Sequence, residues 1–325
     1  VRQDGNSRAT DDRGGCAHVT GFAHEALLYS GDEGFLEGTE PFVRDGVEAG
    51  EAVLVAVPSR RAGLLREALG DDAESVMFAD MAQLGRNPGR IIPAWRDFVD
   101  DHAPRGKGLR GIGEPVWPER TAQELVECQR HEALLNLAFS DEPSWTLLCP
   151  YDTSALTDAV IEEAYRSHPV LWEDGARVDS GAYADPAAQF ALADEDLPPA
   201  PADAEGMGFR VDDVAAVRAL VARRAAAAGL PPQRAADLVL AASEAATNSI
   251  LHGGGRGEFA IWCEGGDVLC EVRDRGRLSD PLAGRRRPTL EALDGRGLWI
   301  VHQLCDLVEV RALERGSVVR FRIGA

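Results

Sequence analysis

Residues 244–253 read Glu-Ala-Ala-Thr-Asn-Ser-Ile-Leu-His-Gly, and the spacing of their polar members decides the fold of the last third of the chain. Glu244, Asn248 and His252 stand four apart, so in a helix all three project from one stripe. The helical pattern runs over 232–251 and starts at Pro232, a residue suited to a first turn. Taken alone, such a stripe is the solvated face of an amphipathic helix. Set among Ala and Leu, it also asks for a ligand. An Asn carbonyl oxygen suits Mg²⁺, which takes a single protein ligand and fills its octahedron with phosphate oxygens and water. Glu244, one turn earlier, is placed to accept a proton from an attacking hydroxyl.

Two further features follow downstream. Phe259–Cys263 and Val268–Arg273 read as strands joined across Gly265-Gly266-Asp267, a hairpin signal. The second strand runs into Arg273-Asp274-Arg275-Gly276: a carboxylate at a strand end, able to accept from an exocyclic amine such as adenine's, and a glycine that lets the backbone turn. Residues 295–301 then read Gly-Arg-Gly-Leu-Trp-Ile-Val, two glycines opening a helix whose free amides suit phosphate. A lone Gly-x-Gly most often marks a tight turn; its weight here comes from the order of the features. Helices over 212–228 and 232–251, the hairpin, an arginine-rich loop over 275–288, a helix over 297–304 and strands over 307–312 and 318–323 predict an α+β sandwich.

That order resembles the GHKL ATPase domain, the Bergerat-type nucleotide fold of histidine kinases and gyrase, over nearly all of 207–325. Within that superfamily, residues 244–253 and Gly-Arg-Gly-Leu-Trp-Ile-Val-His-Gln-Leu-Cys-Asp (295–306) are most similar to the anti-sigma-factor serine kinases of bacteria. The resemblance implies ATP and Mg²⁺ as cofactors. It makes Glu244 the catalytic base, Asn248 the magnesium ligand, Asp274 the adenine contact, and Gly295 and Gly297 the hinges of the phosphate lid. Gly276 and Leu298 join the ATP-binding set, as does Ser317, near the threonine that often supports the adenine pocket. The implied partners are a sigma factor and a STAS-type anti-sigma antagonist, phosphorylated on Ser or Thr. Related kinases often dimerise through the first helix and sheet, which makes a homodimer compatible with the chain. One position departs: where the family commonly has Asp-x-Gly-x-Gly, this chain has Leu278 at the second glycine. A catalytically inactive ATP-binding, sigma-capturing module therefore stays open as the alternative.

Toward the N-terminus, residues 184–206 turn to Asp, Pro and Ala and are predicted as a linker. Before it, strand and helix patterns alternate from Phe22: strands at 23–29, 52–58, 75–78, 109–113 and 145–149, helices at 33–49, 60–69, 91–101, 122–139 and 155–167. Alternation of this kind predicts an α/β domain with a mainly parallel sheet. His24-Glu25-Ala26-Leu27-Leu28-Tyr29, Gly111-Ile112-Gly113-Glu114-Pro115 and residues 127–136 resemble the MEDS sensory domain over about 20–183. The resemblance implies a RecA-like sheet without a working P-loop and a small-molecule ligand. His24, Glu114, His131 and Cys149 are candidates to line a sensory pocket or hold a transition metal; buried His and Cys also serve simply to close hydrogen bonds and fill a core. Residues 1–19 lack an apolar period and are predicted as a flexible tail.

Composition narrows the function classes. The 325 residues carry a net charge of −20, and 45% are hydrophobic. A chain so acidic is a poor direct ligand for nucleic acid or anionic lipid. From Met207 onward 17 Arg face 15 Asp plus Glu, so the acidic excess lies in the first two thirds. Lys107 is the single lysine, in Arg-Gly-Lys-Gly-Leu, which excludes a Walker A loop and a protein-kinase core and disfavours Schiff-base chemistry. Cysteines at 16, 128, 149, 263, 270 and 305 form no CxxC pair. With no apolar run of membrane-spanning length, a reduced cytoplasmic setting is expected. His168, followed by Pro169, is a poor phosphoacceptor, which argues against a histidine kinase.

Overall fold

The computed structural model describes residues 21–106, 108–140, 144–173, 175–186, 195–289 and 295–324. The tail predicted for residues 1–19 lies outside them. The first half alternates strand and helix: β1 (Phe22–Tyr29), α1 (Gly31–Glu48), β2 (Ala52–Val57), α2 (Ser59–Leu69), β3 (Val76–Asp80), α3 (Met81–Leu84), α4 (Ile91–His102), β4 (Leu109–Gly113), α5 (Ala122–Ala138), β5 (Trp145–Asp152), α6 (Asp158–Ser167), β6 (Val170–Glu173) and β7 (Ala176–Asp179). The strands order as β3-β2-β4-β5-β1-β6-β7. All neighbours are parallel except β6 and β7. Helices cover both faces, so successive strand residues enter different cores: Leu147 packs with Trp95, Phe139 and Trp145, and Leu148 with Phe35, Val55 and Leu65.

Two details differ from the sequence reading. The β6–β7 hairpin departs from that reading, because β7 is only four residues long and exposed along its length, so its pattern marks no core face. The strand expected to stop at Cys149 runs through Pro150 to Asp152. Trp145 N donates toward the β1 side, to Gly21 O, so by alternation the nitrogen of Pro150 faces β4. Pairing with β4 ends at Leu148, and the missing N–H breaks no ladder bond.

The second half contains β8 (Glu205–Arg210), α7 (Val214–Ala227), α8 (Pro232–His252), β9 (Arg256–Glu264), β10 (Asp267–Asp274), α9 (Arg296–Leu304), β11 (Leu307–Leu313) and β12 (Gly316–Ile323). These strands form an antiparallel sheet ordered β11-β12-β10-β9-β8. Val268, Cys270, Val272, Phe321 and Ile323 face the helices and share a core with Val217, Leu238, Ala242 and Val301. The alternate residues Glu271, Arg311 and Arg320 are charged yet buried, because other parts of the chain cover that face. One cover is the second part of the expected linker: Asp196 pairs with Arg273, Pro198 O accepts from Arg320, and Leu197 is buried. Strand β8 also begins inside the stretch predicted as linker, at Glu205. Two domains therefore stand as expected in class, an α/β unit with a mainly parallel sheet and an α+β unit with an antiparallel one.

Candidate functional site

A cleft of about 420 Å³ opens between the C-terminal end of α8, the end of β10, the loop after it and the start of α9. Asn248, Asp274, Gly276, Gly295, Leu298 and Ser317 all line it, as does Leu278. Sheet register explains how residues so distant in sequence meet: Asp274 stands directly opposite Ser317 in the β10–β12 ladder. Ser317 Oγ donates to Asp274 Oδ1 at 2.9 Å, Gly276 N to the same oxygen at 2.8 Å, and Ser249 Oγ to Oδ2 at 2.5 Å. The carboxylate is thereby held rigidly and keeps acceptor capacity on Oδ2 for an amine. Gly316 holds φ at +140°, and a Cβ there would lie 1.9 Å from Asp274 O, so the turn entering β12 needs glycine. Ala245, Leu282, Leu298, Val310 and Val319 give the cleft apolar walls.

Gly297 lies outside the lining but sets its geometry. A Cβ there would stand 2.8 Å from both amide atoms of Asn248, so α9 approaches α8 closely only because the residue is glycine. Gly295 precedes α9 in the left-handed region, φ +84°. Arg277, Arg286 and Arg287 also line the cleft, Arg286 paired with Asp280 and Arg287 with Asp97. Glu244 sits half-buried one turn before Asn248 on α8, outside the lining residues. Concave shape, apolar walls, one fixed carboxylate, an Asn and nearby arginines suit a purine nucleotide with its divalent ion.

The four residues predicted for a sensory pocket occupy three places. Glu114 accepts from Tyr29 Oη at 2.7 Å, and burial lifts its pKa to about 7. His131 is buried, and its pKa is driven down to about 3 by that burial. His24 and Cys149 do meet, and they are joined by Glu132 and His168, which the sequence reading did not include. The neighbouring pair His131-Glu132 gave no sign of which member faces the sheet, and α5 is buried on almost every side.

Residues 207–323 match the family described as the histidine kinase-like ATPase domain, and residues 23–169 match MEDS, the MEthanogen/methylotroph, DcmR Sensory domain. The chain joins a MEDS domain to a histidine kinase-like ATPase domain. A domain of the latter class implies nucleotide binding. Among solved structures, the RsbU and RsbW domains of Rv1364c from Mycobacterium tuberculosis share 20% identity over 37% of this chain, with a TM-score of 0.29. The match spans about a third, 32%, of that chain. No curated protein matches. No helix among the described residues is long and apolar enough to cross a membrane.

The MEDS domain grips the ATPase domain at the cleft loop. Leu282 lines the cleft and also packs in the MEDS core. Three residues on, Arg285 donates to Glu127 Oε2 at 3.2 Å, while Arg311 of β11 donates to Glu127 Oε1 at 2.7 Å. All three side chains are buried, and burial lowers the Arg285 pKa to about 10 against the pull of Glu127. Arg287 reaches Asp97 at 2.8 Å. At the far end of α9, Asn87 and Arg90 donate to His302 O, each at 2.9 Å, and Arg90 to Cys305 O at 2.8 Å. Carbonyls that a helix C-terminus leaves open are thus closed by the other domain.

Proposed function

We propose that this chain is an anti-sigma regulator of the serine-kinase type: its ATPase domain binds ATP with Mg²⁺, captures a sigma factor and phosphorylates a Ser or Thr of a STAS-type antagonist, under control of the MEDS domain. The observation that carries the reading is the convergence of Asn248, Asp274, Gly276, Gly295, Leu298 and Ser317 on one cleft, in the family's motif order. Asp274 would hold the base, oriented by Ser249, Gly276 and Ser317. Asn248 would hold the magnesium ion, which neutralises charge on the transferring phosphoryl group. Glu244 would orient and deprotonate the incoming hydroxyl. Control through the MEDS domain is supported by the loop 275–289, whose Leu282, Arg285 and Arg287 belong at once to the cleft region and to the domain interface.

Equilibrium titration with a fluorescent ATP analogue tests the first step. Asp274→Asn should weaken binding at least about tenfold, since an amide presents an N–H where an acceptor is needed; equal affinity of the two proteins refutes the site. Transfer of labelled phosphate to an antagonist, lost in Glu244→Ala, tests the second step. Leu278 in the cleft lining favours one alternative, a module that binds ATP and sigma without turnover. Sigma capture with no transfer by the native chain would select it.

A further inference from the structure

Four buried side chains of the MEDS domain converge on one point away from the cleft. His24 on β1, Glu132 on α5, Cys149 on β5 and His168 between α6 and β6 bring their donor atoms within 4.8 Å of one another. The Nε2 atoms of His24 and His168 lie 3.0 and 3.3 Å from the same Glu132 Oε2, and Cys149 Sγ lies 3.4 Å from His24 Nε2. None of the four is more than 1% exposed.

Both imidazoles are fixed from behind. Asn136 Nδ2 donates to Ser167 O at 2.8 Å, which turns its Oδ1 toward His24 Nδ1, 3.1 Å away. An amide oxygen only accepts, so Nδ1 carries the proton and Nε2 a lone pair. His168 Nδ1 stands 2.9 Å from Ala164 O, another pure acceptor, with the same result. Neither contact with Glu132 has hydrogen-bond geometry: both Glu132 oxygens and His168 Nε2 are buried without a hydrogen-bond partner among the described residues. Two nitrogen lone pairs, a carboxylate and a sulfur therefore face one another, with outer hydrogen bonds of the kind that orient metal-binding histidines.

We propose that His24, Glu132, Cys149 and His168 form a tetrahedral site for a divalent transition ion of the zinc class. Bonds of about 2.0–2.3 Å to N, O and S imply donor separations of about 3.3–3.7 Å in a tetrahedron. Three of the six donor pairs stand 3.0–3.4 Å apart and need a small outward movement, and the remaining pairs, all within 4.8 Å, need at most about 1–1.5 Å of closing. Two imidazoles and a thiolate select zinc or cobalt over magnesium or calcium, which prefer oxygen alone. On uptake the Cys149 thiol releases its proton to solvent. Four protein ligands close the coordination sphere, so the ion would act in folding and signalling rather than in hydrolysis.

The test uses the full chain, stripped with a chelator and titrated with Co²⁺. One equivalent should produce visible tetrahedral d–d bands and a near-ultraviolet thiolate-to-cobalt charge-transfer band, both abolished by one equivalent of Zn²⁺. Cys149→Ser should remove the charge-transfer band, whereas Cys263→Ser, at an exposed cysteine, should retain it. His168→Gln should lower zinc affinity by about tenfold or more. Should Cys149→Ser fail to fold by circular dichroism, X-ray absorption of the zinc-loaded native chain decides: one sulfur with nitrogen and oxygen neighbours supports the site. A folded native chain that gives no such bands, or a zinc shell without sulfur, overturns it.

Discussion

Glu127→Gln offers a direct test of how the two domains are held. The native carboxylate is fully buried and faces Arg311 at 2.7 Å, Arg285 at 3.2 Å and Arg130 at 3.9 Å. At an effective permittivity near 20, the two shorter contacts are each worth about 5–6 kcal/mol before desolvation. The substitution keeps the shape and removes the charge, leaving the arginines with unequal compensation. Arg311 retains a bond to Val310 O. Arg285 loses its carboxylate partner, and its NH1 already lacks a hydrogen bond. Stranding buried charge in this way costs about 3–5 kcal/mol. Urea unfolding followed by tryptophan fluorescence should show a loss of that size, and because the pair is buried, high ionic strength should hide little of it. Hydrogen exchange should quicken at the C-terminal end of α9 and in the loop 275–289 before it changes in β1 or β5. In Glu127→Gln/Arg285→Gln the loss should be smaller than in the single variant, since the stranded charge is gone. A single-variant loss under about 1 kcal/mol, or a double variant worse than both singles combined, would refute this account of the interface.

Stability should also depend on pH through Glu114. Burial raises its folded pKa to about 7 from the ordinary 4.5, so the folded chain holds this proton more tightly than the unfolded one. That contribution is complete below about pH 4.5 and is lost as pH rises through 7, amounting to about 3 kcal/mol; urea midpoints between pH 5 and 8 should fall in the native chain and flatten in Glu114→Gln. Gly89→Ala would set a Cβ 2.1 Å from His302 Nδ1 across the interface, an overpacking cost of about 1–3 kcal/mol that differential scanning calorimetry should register as a lowered Tm. Gly297→Ala should weaken ATP-analogue binding with little change in Tm, because its Cβ would displace the Asn248 amide; unchanged affinity would remove Asn248 from the proposed site.

What the chain disclosed depended on range. The α8 stripe, the β9–β10 hairpin and the Asp274-x-Gly276 turn are local patterns, and their elements appear within a few residues of expectation. Asp274 and Ser317 could be listed separately from sequence, but their contact follows from antiparallel register, which no single segment states. The stretch 184–206 looked like a free linker because Pro and Asp dominate it. Its latter part is ordered by a face of the sheet whose charged residues, Arg273 and Arg320, gave no local sign of needing a cover. Glu114 and His131 group with His24 and Cys149 in sequence because all sit in strands, at strand ends or on α5; Glu114 lies instead beside Tyr29 at the far end of β1, and side-chain direction on α5 separates His131 from Glu132.

Helix α5 shows why that direction matters. Its pattern carries Glu127, Arg130, His131 and Glu132, all buried, a costly set unless each finds a partner. The cost is met from two sides. Glu127 and Arg130 point to the ATPase domain, where Arg130 donates to Val310 O, and Glu132 points into the parallel sheet domain toward His24 and His168. The N-terminus of the helix is fixed by the capping box of Thr121 and Glu124, and Glu124 also accepts from Arg322 of β12 at 2.9 Å. Five residues along a helix span about 7.5 Å, so Glu132 and Glu127 move as one rigid body. A shift of α5 by about 1 Å at the His-Glu-Cys cluster would be felt in full by the 2.7 Å contact of Glu127 with Arg311, and through Arg285 by the loop that carries Leu282 into the cleft. A buried polar helix between two domains is therefore one rigid mechanical link from the MEDS domain to the loop 275–289, alongside the direct contacts of Arg287 with Asp97 and of Asn87 with His302.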